Sequence, residues 1–331
     1  LIGCFFLLAT GESFANIFVA YSSLFIGSLG SLNAISETFT AATPLVFAAL
    51  GIALAFRAGL FNIGAEGQMI IGGLATVIVG FSIDFLPIWI HLPLALSIGA
   101  LFGALYAAIA GWLKAYTGAH EVISTIMLNL IALRLLDYVL RSPIIQKEGR
   151  NDPISKSILD SAELPQILAF IDPQLRLHGG FLLMLVAVFF IYWLLFHTTI
   201  GYEFRATGAN PNAAKYAGIK AGLTIVLVMA IAGALAGLAG ANQITGVLGR
   251  ASPGFSASIG FDAIAVALLG RSHPIGVLFA GLLFGALIAG GRLMQVKAGV
   301  SVDLITIIQA LIIVFIAAPL LIKKSLPWFF K

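Results

Sequence analysis

Apolar residues in this chain come in long, almost uninterrupted blocks. The runs at 179–196, 223–241, 274–290 and 304–322 approach or reach the roughly 20 residues that an α-helix needs to cross a bilayer. In lipid each backbone N–H and C=O must be satisfied inside its own segment, so such runs are helices. The period-2 alternation of a membrane barrel strand is absent. The blocks predict a partial first helix ending near Ala9, its start lying before Leu1. Further spans follow at 38–56, 65–83, 88–113, 121–140, 179–197, 222–245, 259–272, 274–292 and 303–322. The expected fold class is all-α: a polytopic membrane helix bundle of about ten transmembrane helices in a single domain, 1–331. The span 259–272 is the shortest.

Composition strengthens this reading, and charge gives it a direction. Hydrophobic residues make up 60% of the 331 and charged ones 10%, against about 25% charged in soluble domains. The net charge of +4 is scattered over loops, which points to the lipid bilayer and away from nucleic acid. Cytoplasmic loops carry the excess of Lys and Arg. If the tail with Lys323, Lys324 and Lys331 is cytoplasmic, alternation places Arg57, Lys114, Arg205, Lys215, Lys220 and Arg271 inside too. Glu12, Glu37, Asp84 and the acids of a long loop at 141–178 then fall outside. Spans two to five and seven to ten run in opposite directions, the parity of an inverted repeat. Gly99/Gly103, Gly233/Gly237 and Gly281/Gly285 each have GxxxG spacing, which lets helix backbones approach closely.

Polar residues inside these spans are the candidate chemistry. The first group lies in residues 56–68, Phe-Arg-Ala-Gly-Leu-Phe-Asn-Ile-Gly-Ala-Glu-Gly-Gln, a predicted cytoplasmic turn containing Phe61. Asn62 suits an N-cap for the next helix, and Glu66 would sit in its first turn. Capping explains Glu66 and Gln68 less well, because an amide at the head of an apolar run must face protein or a water-filled path. Glu121, Thr125 and Asn129 recur every four residues and so share one helix face, for helix–helix hydrogen bonds or for a pathway lining. Asn242-Gln243 and Phe261-Asp262 would bracket the outer end of the same barrier region, beside the loop 246–258, with Asp262 also placed to cap the short span. In the cytoplasmic loop 198–221, Asn210 or Asn212 can cap a short helix over 213–217 that Gly218 ends. That helix is either a plain connection or a rigid peg for a partner.

Enzyme chemistry has no positive sign. GxxxxGK[ST] is absent, so the chain has no phosphate loop of its own. His120-Glu121 opens like a zinc-protease motif, but Ser stands at 124 where the second ligand belongs. Cys4 is the single cysteine and the five histidines are dispersed, so neither a disulfide framework nor a metal cluster is expected. A transporter driven by an ion gradient is the rival reading. Its ion sites would be Glu121, Asp137 and Asp262, all near predicted helix ends.

Taken in order, 56–68, 121–129, 208–219 and Gly-Phe-Asp-Ala-Ile-Ala-Val-Ala-Leu-Leu-Gly-Arg at 260–271 give the chain a close resemblance to permease subunits of bacterial nucleoside ABC importers. These form a branch of the sugar and branched-chain amino acid permease superfamily, and the resemblance runs from about Glu37 to Ala318. It implies a multi-pass subunit of the bacterial plasma (inner) membrane that translocates nucleosides, or a related sugar-containing solute, by alternating access. It implies two separate ATP-binding cassette subunits that use the ATP, a second permease subunit, and an extracytoplasmic substrate-binding protein. It further implies that Asn210, Pro211, Ala213, Ala214, Lys215 and Gly218 belong to the segment that docks on the ATPase. The loop 141–178 becomes part of the binding-protein dock. No cofactor is expected in the chain itself.

Overall fold

The computed structural model describes residues 13–300 together with 306–307 and 309–311. The partial helix expected near Ala9 and most of the span 303–322 lie outside the described residues. Helix α1 covers Phe14–Leu29, α2 Leu32–Arg57, and α3 Ala65–Ser82. Helix α4, Ile88–Trp112, runs on through a π turn at Leu113–Thr117, and α5 covers Glu121–Leu140. Helix α6 is Gly180–His197, followed by the short α7 (Thr199–Ala209) and α8 (Pro211–Tyr216). Helix α9, Ala221–Gln243, ends in a second π turn at Ile244–Leu248, and α10 (Ile259–Leu269) and α11 (Pro274–Ala298) complete the bundle. Helices α2 to α6, α9 and α11 are each long and apolar enough to cross a membrane. The chain is a polytopic helical bundle.

Every predicted span between 38 and 292 has its helix, with α10 shorter than its span, while α1 and α7 lie outside the predicted spans. Helix α1 was not predicted: its 16 residues fall short of a crossing, and Ser22-Ser23 interrupts its apolar run. Helix α10 has only 11 residues, a rise of about 16 Å at 1.5 Å per residue. That is roughly half of a hydrocarbon layer about 30 Å thick. Its start is set by the irregular segment before it, where Ala257 and Ser258 take left-handed φ values of 46° and 61°.

Helices α2 and α9 cross at the centre, where Gly51 meets the backbone of Ala232. Helix α9 packs along α3 and α4. A Cβ on Gly72, Gly103 or Gly237 would collide with the opposing glycine backbone, so the GxxxG faces serve the close approach read from the sequence. Helix α2 packs in turn along α10 and α11, with Gly281 against Val46 and Gly285 against Thr38 and Ala42. Helices α2, α10 and α11 thus form a second packed group of three beside α9, α3 and α4. Leu101, Leu105, Ile123, Leu130, Val186 and Phe189 on α4 to α6 point outward as the apolar surface a bilayer would cover.

The loop 141–178 folds onto the end of the bundle opposite Arg57. Ser155 N–H donates to Ala251 O, Ile158 to Gly249, Leu159 to Gly80 and Leu164 to Thr245, each at 2.9 Å. At the Arg57 end, Arg57 Nε donates to the Ser272 carbonyl at 2.9 Å. The end of α2 and the α10–α11 turn are therefore level.

Candidate functional site at the middle of the bundle

The backbone from Ala58 to Gly64 climbs from the Arg57 end to the start of α3 without forming a helix. Non-helical backbone at this depth is tolerated only when protein satisfies it, and here side chains do so. Asn62 is not the helix cap its sequence suggests: Gly64 is the cap residue, with no side-chain bond of its own. Asn62 Oδ1 instead accepts the Gly64 N–H at 3.0 Å, an Asx turn that leads into α3. Asn62 and Gln68 also exchange two amide hydrogen bonds, at 3.1 and 3.0 Å. From α5, Asn129 Oδ1 accepts the Gly67 N–H at 2.8 Å while its Nδ2 donates to Ile63 O at 2.9 Å. Gly67 is one of the orphan donors in the first turn of α3, so a neighbouring helix supplies that cap. Thr125 is buried beside Gly64 and donates to Glu121 O at 2.7 Å. Glu121 itself pairs with Lys114 Nζ at 2.8 Å.

Glu66 is 4% exposed and turns away from its own helix toward α10. Its Oε2 accepts the Gly260 N–H at 2.8 Å, and its Oε1 accepts the Ser256 hydroxyl. Ser258, the N-cap of α10, makes no side-chain cap. The orphan donor at Gly260 is therefore capped from a residue 194 positions away. Gly260 has to be glycine, because a Cβ there would collide with the Glu66 backbone. Two helix N-termini, each with a partial positive charge, thus meet near the middle of the bundle with one carboxyl group between them. The Asp262 side chain, expected as a cap, makes no hydrogen bond or ion pair among the described residues.

The remaining sequence candidates divide by position. Asp262 and Gln243 line a cavity of about 440 Å³ that opens toward the 141–178 end, with Arg176, Arg292 and Gln309. Phe61 and Phe261 are each 45% exposed, and Phe61 packs on Phe56 at 4.7 Å between ring centroids. Asn242 is buried apart from this cavity, beside Gly180 and His178, and neither its amide nor the His178 ring has a partner among the described residues. Sequence reasoning missed Ser256 and Gln309. Ser256 gives no local signal, since only the fold brings it to Glu66. No three His, Cys, Asp or Glu side chains converge as metal ligands among the described residues.

At the Arg57 end, the short helix expected over 213–217 forms as α8, starting two residues earlier with Asn210 as its cap. Asn210 Oδ1 accepts from Asn212 N at 3.0 Å and Ala213 N at 3.1 Å, Pro211 opens the helix, and Gly218 follows with φ of 85°. Ala214 is buried, whereas Ala213, Lys215 and Tyr216 are exposed. Helix α7 rests on the end of α2: Gly208 abuts the Arg57 and Ala58 backbone and leaves no room for a Cβ. The guanidinium groups of Arg57 and Arg205 both lie over the Phe196 ring, 5.9 and 5.5 Å from its centroid.

A bundle with an apolar outer face and two helix N-termini meeting in its middle is the build of a membrane transporter. Residues 34–317 match the family described as the permease component of a branched-chain amino acid transport system, and the chain belongs to that family. It is 39% identical over 323 residues to the guanosine ABC transporter permease protein NupP of Bacillus subtilis, covering 97% of this chain and 90% of that one. It is 37% identical over 331 residues to the nucleoside ABC transporter permease protein NupB of Lactococcus lactis, covering 99% and 90%. It is 36% identical over 311 residues to the glucose ABC transporter permease protein TsgB13 of Haloferax volcanii, covering 92% and 81%. No solved structure matches the chain. The chain is a multi-pass membrane permease subunit of the ABC type, which works with ATPase and substrate-binding partners.

Proposed function

We propose that this chain is one of two membrane halves of an importer that brings nucleosides into a bacterial cell by alternating access. The observation that carries the reading is the closed junction of α3 and α10 at mid-depth, held by Glu66, Ser256 and Gly260. A barrier built where two helix starts meet opens when one shifts against the other, which requires contacts that differ between two states. The nucleoside assignment rests on two relatives, at 39% and 37% identity, whose named solutes are guanosine and nucleosides. Guanosine and other ribonucleosides share a vicinal diol with glucose, the named solute of a third relative. A hydroxyl-rich neutral solute is the chemistry common to all three.

The basic end with Arg57, Lys114, Arg205 and Lys215 faces the cytoplasm in this reading, the C-terminus with it. The loop 141–178 faces outward, toward an extracytoplasmic binding protein. Two ATPase subunits drive the system, one of them docking on the exposed face of α8 and moving α7 against Arg57 and Ala58. The second membrane half is a related but different chain. Bacillus subtilis and Lactococcus lactis each have a second such permease, NupQ and NupC, only 28% and 29% identical to this one. The docking role is tested by replacing 210–218 with a flexible linker and measuring ATPase association and uptake together. Both should be lost, and normal coupling in that variant would rule the dock out.

A further inference from the structure

The cavity above α10 contains polar groups that no other described residue uses. The side chains of Asp262, one turn into α10, and Gln243, at the end of α9, line it without a side-chain hydrogen bond among the described residues. Gln309 is 6% exposed, and its Nε2 has no partner there either. A buried donor left unpaired costs about 1–3 kcal/mol, so a lone unused amide would call for an explanation, and three unused polar groups around one space point to an occupant. At the mouth, Glu37 lies between two cations, 3.6 Å from Arg176 Nη1 and 3.1 Å from Arg292 Nη1.

Charge selects the occupant. Two guanidinium groups against one carboxylate leave the mouth positive and repel a cation. Asp262 at the base repels an anion. A neutral solute passes both. Two primary amides can each donate and accept, while a carboxylate binds two neighbouring hydroxyls through its two oxygens. The volume of about 440 Å³ lies within the roughly 300–1,000 Å³ of small-molecule sites.

We propose that this cavity is a solute subsite on the outer half of the pathway, in which Asp262 receives a vicinal diol and Gln243 and Gln309 contact the rest of a neutral, hydroxyl-rich molecule. The assignment rests on the importer reading given above and adds a specificity residue to it. The subsite sits directly over the Glu66 junction, so its occupant waits against the barrier formed by the start of α10.

The test uses the complete importer in proteoliposomes, both permeases and both ATPases, with saturating binding protein. Uptake of a ribonucleoside is compared with that of its 2′,3′-dideoxy analogue in the natural protein and in Asp262→Asn. The substitution keeps the shape and removes one of the two acceptors. Ribonucleoside uptake should fall about tenfold, a typical loss for a hydrogen bond to a charged group. Dideoxynucleoside uptake should stay within about twofold, as should ATP hydrolysis stimulated by the binding protein. The ratio isolates the permease because the binding protein is the same in both arms. Gln309→Leu should lower uptake of both analogues without altering their ratio. Equal losses for both solutes in Asp262→Asn would make Asp262 part of the gate instead, and no loss for either would take the cavity off the route. If the natural complex carries glucose and no nucleoside, only the nucleoside assignment fails. The diol claim is then decided by the Asp262→Asn effect on glucose against a deoxyglucose.

Discussion

Replacing Glu66 with Gln should loosen the start of α10 while leaving the rest of the bundle intact. Glu66 accepts two hydrogen bonds, from Ser256 and from the Gly260 N–H, and hydrogen bonds to a charged group contribute about 1.5–3 kcal/mol each. The helix N-terminus adds roughly 0.3–1 kcal/mol for a nearby negative charge, up to about 2 where it is partly buried. Gln keeps the shape and one acceptor oxygen, so one bond and the charge term are lost. Removing a buried charge recovers part of that loss. The net effect is on the order of 2 kcal/mol. Local opening at Gly260 should therefore become about 30-fold more frequent, since about 1.4 kcal/mol is a factor of ten. Amide hydrogen exchange followed by mass spectrometry on peptides covering 256–262 reads this directly. Ser256→Ala, which removes one donor and leaves the carboxylate on Gly260, should give a rise of about tenfold, the lower end of the worth of one hydrogen bond to a charged group. Unchanged protection at 256–262 in a folded Glu66→Gln protein would refute the cap. Loss of protection throughout α3 and α9 would show that Glu66 supports the whole bundle and not one junction.

Other substitutions test the packing and the outer loop. Gly240→Ala puts a Cβ against the Met69 carbonyl; overpacking of about 1–3 kcal/mol outweighs the roughly 1 kcal/mol gained in helix propensity, so the melting temperature should fall. In the same helix, Gly222 has only ordinary van der Waals neighbours at 3.8 Å or more, and Gly222→Ala should be neutral or stabilising in the same melt. Burial, with the charge of Arg176 as the lesser cause, holds His178 down at about 4 against its ordinary 6.5. The unfolded chain binds more protons between those values, so stability is full above pH 6.5 and falls as pH drops toward 4, by at most about 3 kcal/mol. Melting of the purified protein at pH 7.5 and pH 5 should show this acid sensitivity, and His178→Phe should flatten it.

The apolar blocks made most of the bundle legible, because a crossing helix in lipid needs little beyond length and hydrophobicity. Helix α1 stayed hidden for that reason: it is short, and it is stabilised where Gly27 and Gly290 let it pack onto α11. The four-residue spacing of Thr125 and Asn129 correctly put both on a buried face, yet spacing could not name their partners. Asn62 reads locally as a cap, and the chain uses it as a turn and as the partner of Gln68. Glu66 shows the limit most clearly. Its position in the first turn of α3 was evident, whereas its role depends on Ser256 and Gly260, which only the fold brings near. The short helix Pro211–Tyr216 was legible to within two residues of the expected 213–217, since Asn210, Pro211 and Gly218 act locally. Helix α7 beside it was not, because its stability comes from resting on α2.

The importer account is tested most directly by uptake of a radiolabelled nucleoside into proteoliposomes holding both permeases, both ATPases and the binding protein. ATP is varied independently of the ion gradients. The account predicts uptake that requires ATP and the binding protein, and that persists when proton and sodium gradients are collapsed. Uptake that survives without ATP and disappears with an ion gradient would contradict it.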